Sequence, residues 1–331
     1  MSKRVLVIGA TGAMGQHLVP KLSKLGYEID ALALDEPRQN FPNVTYHKAN
    51  FKEPGVRDVF LARHYDGIVD FMTYVTSEIP TWLPLLVSNT DHYIFLSSCR
   101  VFANEEEPIK ESSPRLLDVS KDAALLASDD YCMYKARAEN FLRGLDRKNW
   151  TIVRPSTTFS FMRYQLVTLE AADCVGRAFR GKKVVVPEQA YDIPSSMTWG
   201  GDVATMLEKI LFNERTLGED YNVTSSEAHP WSVVADYYKD ICNLEAVWVD
   251  KEDYLKILDP HLSLGKRWQL EYARLFNRTY DNTKLLEATG LKQEQFKTLF
   301  DGLSFEVSRC PKDYPFPNND RMDEYLKAHN I

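Results

Sequence analysis

An α/β fold, with a doubly wound parallel sheet joined to a smaller mixed C-terminal lobe, is what this 331-residue sequence predicts. Three observations carry that reading. Short apolar runs alternate with longer helical patterns through the first half, which is the mark of successive strand–helix–strand units. A glycine-rich turn follows the first apolar run directly. The alternation then weakens after about residue 156, where Trp, Tyr and Pro become frequent.

Taken in order, strands are expected at residues 4–8, 29–34, 44–47, 67–71, 92–97 and 151–154. Helices are expected at residues 13–25, 54–63, 79–88 and 129–147 between them. The last helix sets Tyr134, Ala138, Phe141, Leu142 and Leu145 at helical spacing. Pro155 stops the pattern straight after the sixth strand. Residues 104–128 are polar and carry Pro108 and Pro114, so they read as a connection, and their place between Ser97 and Tyr131 predicts that they border the site. Beyond residue 156, helices at 166–180, 202–212, 231–242 and 282–288 and a strand at 183–186 give the second lobe. The division is therefore a dinucleotide-binding region over 1–156 and a substrate lobe over 157–331, with an approximate boundary that the chain can cross.

The totals narrow the function classes. A hydrophobic share of 44% and a charged share of 26% are those of a globular protein. The apolar stretch Val5-Leu6-Val7-Ile8 is too short for a signal-peptide core, and no run approaches the length of a membrane span, so a cytoplasmic protein with no membrane partner is expected. A net charge of −7 argues against nucleic acid as a partner, because phosphate neutralisation needs a clustered basic face. The five cysteines, Cys99, Cys132, Cys174, Cys242 and Cys310, are scattered without metal-ligand spacing, so no metal is expected and they read as structural thiols.

Gly9-Ala10-Thr11-Gly12-Ala13-Met14-Gly15 closes the first strand and opens the first helix. A dinucleotide needs that arrangement: glycines let the backbone approach the pyrophosphate, and the helix N-terminus offers N–H groups and a positive dipole end. The domain is thus Rossmann-type, with glycines spaced G-x-x-G-x-x-G. Asp35 lies 20 residues after Gly15, at the end of the second strand, where a carboxylate accepts from the adenosine ribose hydroxyls. It favours NAD, and a 2′-phosphate would be repelled by Asp35 and Glu36 unless Arg38 compensated, which leaves NADP as the less favoured cofactor. Tyr131 and Lys135 stand at i and i+4 on one helix face, where an ammonium can lower a phenol's pKa. Ser97-Ser98 ends the preceding strand at the sheet edge where open α/β folds bind ligands.

In this order the motifs resemble the extended short-chain dehydrogenase/reductases, and within them the NAD-dependent epimerase/dehydratase family of sugar-nucleotide enzymes. Phe95-Leu96-Ser97-Ser98-Cys99-Arg100-Val101-Phe102 is similar to that family's Ser-Ser-x-x-Val-Tyr stretch, Tyr131 to Lys135 to its catalytic helix, and Ile152-Val153-Arg154-Pro155 to its Arg-Pro strand end. The resemblance covers residues 1–156 closely and is loose thereafter. It implies catalytic roles for Ser98, Tyr131 and Lys135: Ser98 orients the substrate oxygen, Tyr131 is the acid/base, and Lys135 holds the nicotinamide ribose and tunes Tyr131. It implies cofactor contacts from Gly9, Thr11, Gly12, Ala13, Met14, Gly15, Asp35, Asn50, Phe51, Met72, Tyr74, Lys135 and Pro155.

Departures from the family bear on the reaction. Ser98-Cys99-Arg100 stands where hexose dehydratases carry Thr-Asp-Glu, which disfavours 4,6-dehydration. Met72-Thr73-Tyr74 replaces a small alanine-rich turn. The arginine that usually precedes the Asp-Val-Ala helix start has no counterpart in Ser196 to Ala204, while Arg163, Arg177 and Arg180 are candidate positive groups and His229-Pro230-Trp231 a candidate pocket wall. The reading is an NAD-dependent epimerase or oxidoreductase of a sugar nucleotide. The alternatives are an NAD(P)H-dependent reductase of a keto-sugar or sugar phosphate and a non-catalytic cofactor-binding regulator. A homodimer through Leu125, Leu126 and Phe141 is also expected from the family's habit of pairing the Tyr-Lys helix.

Overall fold

In the computed structural model, which describes residues 2–331, the first apolar run forms Arg4–Ile8 (β1), the fifth strand of a seven-stranded sheet. The others are Glu28–Ala33 (β2), Val44–Lys48 (β3), Tyr65–Asp70 (β4), Thr90–Leu96 (β5), Trp150–Arg154 (β6) and Glu219–Asn222 (β7). They run β7-β6-β5-β4-β1-β2-β3 across the sheet, every pair parallel. The chain therefore winds outward one way from β1 and then the other. That reversal opens a crevice at the carboxyl ends of β1 and β4, where this architecture binds ligands. Residues 5–8 of β1 are all buried because both sheet faces are covered by helices.

Helices Gly15–Lys24 (α1) and Gly200–Ile210 (α5) cover one face, setting Leu18, Val19 and Leu22 beside Val203, Met206 and Leu207. The other face is covered by Pro54–Leu61 (α2), Ile79–Ser88 (α3) and Tyr131–Gly144 (α4), through Phe60, Trp82, Leu83, Leu86, Ala138 and Leu142. A separate core lies in the second half. Trp231, Val234 and Tyr238 of Trp231–Cys242 (α6) pack there with Tyr164, Val184, Val185, Val186, Tyr254 and Leu303.

Four features depart from the sequence reading. The second half returns to the sheet, supplying β7, α5 and, through Leu285, Thr283–Thr289 (α7), so residues 157–331 are not a self-contained lobe. The charged stretch Glu219-Asp220-Tyr221-Asn222 gives no alternating apolar pattern, and its pairing with β6 is supported by Arg143 and Arg154 at 2.8 and 2.7 Å from Asp220. In place of a helix over 166–180 there is a turn with Val167 at φ 55° and then the single helical turn Val175–Ala178. Tyr164, Leu166, Val167 and Leu169 are all buried, so no polar face remains and tertiary packing overrides the helical pattern. Residues 104–128 lie behind the cleft, placing Ile109 against Tyr280 and Leu116 and Leu125 under Trp268.

Of the residues expected at a homodimer contact, Leu126 and Phe141 are half-buried. Leu125 is fully buried, Leu126 packs beside it, and Phe141 lies against the sheet-side core. Among the described residues no helix is long and apolar enough to cross a membrane. Cys99, Cys132, Cys174 and Cys310 are buried free thiols, and Cys242 is half-buried and also free.

Gly200 marks the closest approach between the halves. A β-carbon there would sit 2.3 Å from the Ala13 carbonyl oxygen, so α5 can meet the glycine turn only without a side chain. Gly200→Ala is expected to cost about 1–3 kcal/mol of stability through overpacking. A lowered urea midpoint with unchanged slope is the readout, and a midpoint equal to wild type would contradict the close approach.

Candidate active site

The glycine turn takes its shape from two positions. Gly9 has φ 87°, a left-handed conformation that side chains disfavour, and a β-carbon there would meet Phe71 Cβ at 3.0 Å. At Gly15 a β-carbon would lie 2.5 Å from the Gly9 carbonyl oxygen, so the turn can fold back on the start of α1 only with glycine. Met14 is the N-cap, and no side chain caps the helix. The amides of Gln16 and His17 are bonded to the Gly12 and Met14 carbonyls, each at 3.1 Å, so it is the residues before them, Ala13, Met14 and Gly15, that bring the helix N-terminus to the cleft.

That cleft has a volume of about 610 Å³ and runs from the glycine turn to the second half of the chain. Asp35, Asn50 and Phe51 line one end. Thr73, Ser98, Tyr131, Lys135 and Pro155 line its middle. Ser98 ends the strand run and caps the 3₁₀ turn Cys99–Val101, its Oγ accepting from the Arg100 amide at 3.1 Å. It shares the middle of the cleft with the Tyr131 phenol. Burial pushes that phenol up, and Ser98, Arg100 and Arg163 pull against it.

Lys135 is buried beneath the pair. Its Nζ donates to the Leu96 carbonyl at 2.5 Å and to the Met72 carbonyl at 3.0 Å, and lies 5.8 Å from the centre of the Tyr131 ring. Burial lowers the ammonium to about 8, with Asp70 and Glu139 opposing the shift.

Helix α4 is fixed from behind by a charged cluster with no solvent access. Arg154 donates to Glu139 through Nε at 2.7 Å and Nη2 at 2.9 Å, and Ser97 Oγ donates to the same carboxylate at 2.5 Å. Burial alone would raise the Glu139 carboxyl, but Arg154, Ser97 and Arg143 outweigh it and hold it at about 2. The cluster joins α4 to β5 and β6, the elements that carry Tyr131, Ser98 and Pro155.

At its other end the cleft is lined by Arg100, Arg163, Arg274 and Arg278. Arg278 donates to the carbonyls of Phe102 and Tyr272, each at 3.0 Å. Arg274 donates to the Val167 carbonyl at 2.7 Å, Thr157 Oγ1 at 2.9 Å and Gln165 Oε1 at 3.3 Å. Neither guanidinium meets a carboxylate in these bonds. Burial first, and then the Arg100 charge, pull Arg274 down to about 10. Glu170 also lines the cleft, held by Gln165 at 3.0 Å, and Arg100 is paired with Asp130, so the positive excess at this end, which suits an anion, comes from Arg163, Arg274 and Arg278.

Most residues singled out from the sequence meet in this cleft: Gly9, Thr11, Gly12, Ala13, Met14, Gly15, Asp35, Asn50, Phe51, Met72, Ser98, Tyr131, Lys135 and Pro155 all line it. Tyr74 does not, because its ring stacks on Trp82 and its hydroxyl donates to the buried Asp70 at 2.9 Å. Of the candidate positive groups only Arg163 reaches the cleft; Arg177 pairs with Asp323 at 2.7 Å and Arg180 donates to the Phe316 carbonyl at 2.9 Å. His229 is turned toward Glu227 at 2.6 Å, and Trp231 supports the site from below by donating to the Arg274 carbonyl at 3.1 Å. Arg274 and Arg278 carried no local motif, and only folding brings them beside Arg100.

The sequence profile of the NAD dependent epimerase/dehydratase family matches residues 5–83, which hold the glycine turn and Asp35. No curated protein sequence matches. Solved structures similar in fold include the dTDP-glucose 4,6-dehydratase of Bacillus anthracis in complex with NAD (TM-score 0.70, 16% identity, 93% of this chain and 96% of that one). They also include the UDP-glucose 4-epimerase of Thermotoga maritima with UDP-glucose (0.68, 16%, 92% and 97%). A third is an epimerase of Methanothermobacter thermautotrophicus (0.68, 13%, 99% and 93%).

Proposed function

We propose that this chain, whose fold is that of the NAD-dependent epimerases and dehydratases, is an NAD-dependent enzyme that oxidises and re-reduces a carbinol of a sugar nucleotide. The observation that carries this reading is the meeting of Ser98, Tyr131 and Lys135 between a glycine cradle and an arginine-lined compartment. The cradle fits a dinucleotide, since Gly9, Thr11, Gly12, Ala13, Met14 and Gly15 line the cleft at the head of α1 with no side chain capping the helix. Thr11 to Gly15 would hold its pyrophosphate and Asp35 a ribose. NAD supplies the hydride acceptor and donor when bound.

The chain's own residues do the rest. Tyr131 takes the proton of the substrate hydroxyl and returns it later, Ser98 orients the oxygen, and Lys135 anchors the cofactor side of the cleft. Arg163, Arg274 and Arg278 receive the diphosphate. Those arginines supply the positive charge that is missing before Asp202, and because they suit a sugar phosphate as well as a diphosphate, an NAD(P)H-dependent reductase of a keto-sugar or sugar phosphate is the second reading, marked by steady NAD(P)H consumption.

Incubation with a panel of sugar nucleotides and NAD tests the reading, with nicotinamide absorbance and product stereochemistry followed together. The expected result is a stereoisomer without net absorbance change. An inert panel together with no NAD binding would sink it. Preference for NAD over NADP is also expected. Asp35 faces the cleft, whereas Arg38 is stacked on the Phe161 ring at 3.8 Å and so is occupied. Asp35→Ser is expected to weaken NAD binding by roughly tenfold, the loss of about one charge-assisted hydrogen bond. NADH fluorescence titration measures it, and unchanged affinity would remove Asp35 from the cofactor site.

A further inference from the structure

The Lys135 ammonium has three N–H donors and commits two of them to carbonyls, Leu96 at 2.5 Å and Met72 at 3.0 Å, which leaves one for a group in the cleft that Lys135 lines. Where that third donor points depends on how firmly the two carbonyls are held. Leu96 belongs to β5 and is fixed by the sheet. Met72 lies past the last residue of β4, beyond the paired positions. Its amide instead donates to Asp70 Oδ1 at 2.9 Å, so a side chain of β4 does for Met72 what the sheet does for Leu96.

Asp70 is fully buried, and its other oxygen accepts from two phenols, Tyr93 at 2.7 Å and Tyr74 at 2.9 Å. Three donors thus meet two oxygens, and an ionised carboxylate, which only accepts, satisfies all of them. We propose that Asp70 is a positioning residue for Lys135, its carboxylate pinning the Met72 backbone and thereby aiming the ammonium at the cleft. The proposal rests on the reading of Lys135 as a group of the active site. It also gives a use to Met72-Thr73-Tyr74, the stretch that stands in place of a small alanine-rich turn: Met72 supplies the carbonyl, and Tyr74 supplies one of the bonds that fix the carboxylate.

The groups that face Lys135 come from each packed element. Tyr131 and Glu139 are on its own helix, Phe95 of β5 sets its ring centre 4.9 Å from Nζ, Asp70 ends β4, and Lys52 follows β3. Burial lowers the ammonium; Asp70 opposes that first and Glu139 second, while Lys52 adds to it. Glu139 is already paired with Arg154 and Lys52 with Glu78, each at 2.7 Å. The groups bonded to Asp70 are an amide and two phenols whose acidity burial suppresses, so no cation among them neutralises its charge.

The test labels lysine with ¹³C and follows the Lys135 Cε resonance with pH in the cofactor-free full chain, the signal being assigned by its loss in Lys135→Arg. This readout needs neither cofactor nor turnover, so a failure here is distinct from a failure of the enzymatic reading. Asp70→Asn keeps the shape and removes the charge, and is expected to lower the midpoint by about one pH unit or more, because the ammonium loses an anion that favours it. Asp30→Asn is the structural comparison. Asp30 is another buried carboxylate of the same sheet, bonded by Tyr65 at 3.0 Å, and its replacement is expected to leave the Lys135 midpoint in place. Should Asp70→Asn fail to fold, Tyr93→Phe, which removes the shorter phenol bond, is expected to lower the midpoint by a smaller amount. The proposal is overturned if Asp70→Asn leaves the midpoint in place, if Asp30→Asn lowers it as much, or if, with Asp70→Asn unfolded, Tyr93→Phe does not move it.

Discussion

Tyr131→Phe is expected to lower kcat by roughly 10²–10⁴-fold while leaving cofactor affinity nearly unchanged. The phenol shares the middle of the cleft with Ser98 and has cations beside its ring. Removing its oxygen takes away the proton acceptor without altering the glycine turn, Asp35 or the ring's own packing against Tyr134. Single-turnover oxidation of a sugar nucleotide, paired with NADH fluorescence titration, separates the two quantities. If the variant keeps wild-type kcat on a substrate that wild type turns over, Tyr131 is not the acid/base. If both lose cofactor binding together, the residue is structural.

Glu139→Gln is expected to destabilise the protein by about 1.5–3 kcal/mol, because it removes the carboxylate that accepts two bonds from a buried guanidinium and leaves that guanidinium only Asp220 at 2.7 Å. Arg154 is fully buried, and its Nε and one Nη bond Glu139 directly, so no solvent replaces the lost charge. The effect depends on pH in a defined direction. The folded carboxyl is held at about 2, below its ordinary value of 4.5, so its contribution is complete above the ordinary value and is lost as pH falls through the folded one. The gap between wild type and Glu139→Gln should therefore be largest near neutrality and narrow below about pH 4.5. Urea midpoints at pH 7 and at pH 3 measure both ends. Equal midpoints at neutrality, or a gap that widens in acid, would show that this ion pair is not what anchors α4.

The two predictions bear on different parts of one arrangement. Tyr131 is the proposed acid/base, and Glu139 is two turns further along the same helix, tying it to Ser97 of the Ser-Ser pair and to Arg154 one residue before Pro155. Because those ties are buried, the helix face carrying Tyr131 and Lys135 has little freedom to rotate. The orientation of the phenol toward Ser98 follows from the core behind it.

The sequence by itself determined the parts that are local. Glycine at positions 9 and 15 follows from backbone geometry within one turn, Tyr131 and Lys135 share a face because a helix repeats every 3.6 residues, and the buried strands β1, β2, β4, β5 and β6 show as apolar stretches at their own positions. Such features need only neighbours along the chain. Tertiary structure alone decided the rest. β7 is a charged tetrapeptide supported by arginines from α4 and β6, the stretch from Tyr164 to Leu169 abandons its helical pattern because every side is buried, and Tyr74 turns from the cleft toward Asp70. Arg274 and Arg278 stand more than 170 residues from Arg100 in sequence, yet line the same cleft. Their role comes from charges brought together across the fold, and Coulomb interaction depends on distance in space, which a pattern along the chain does not encode.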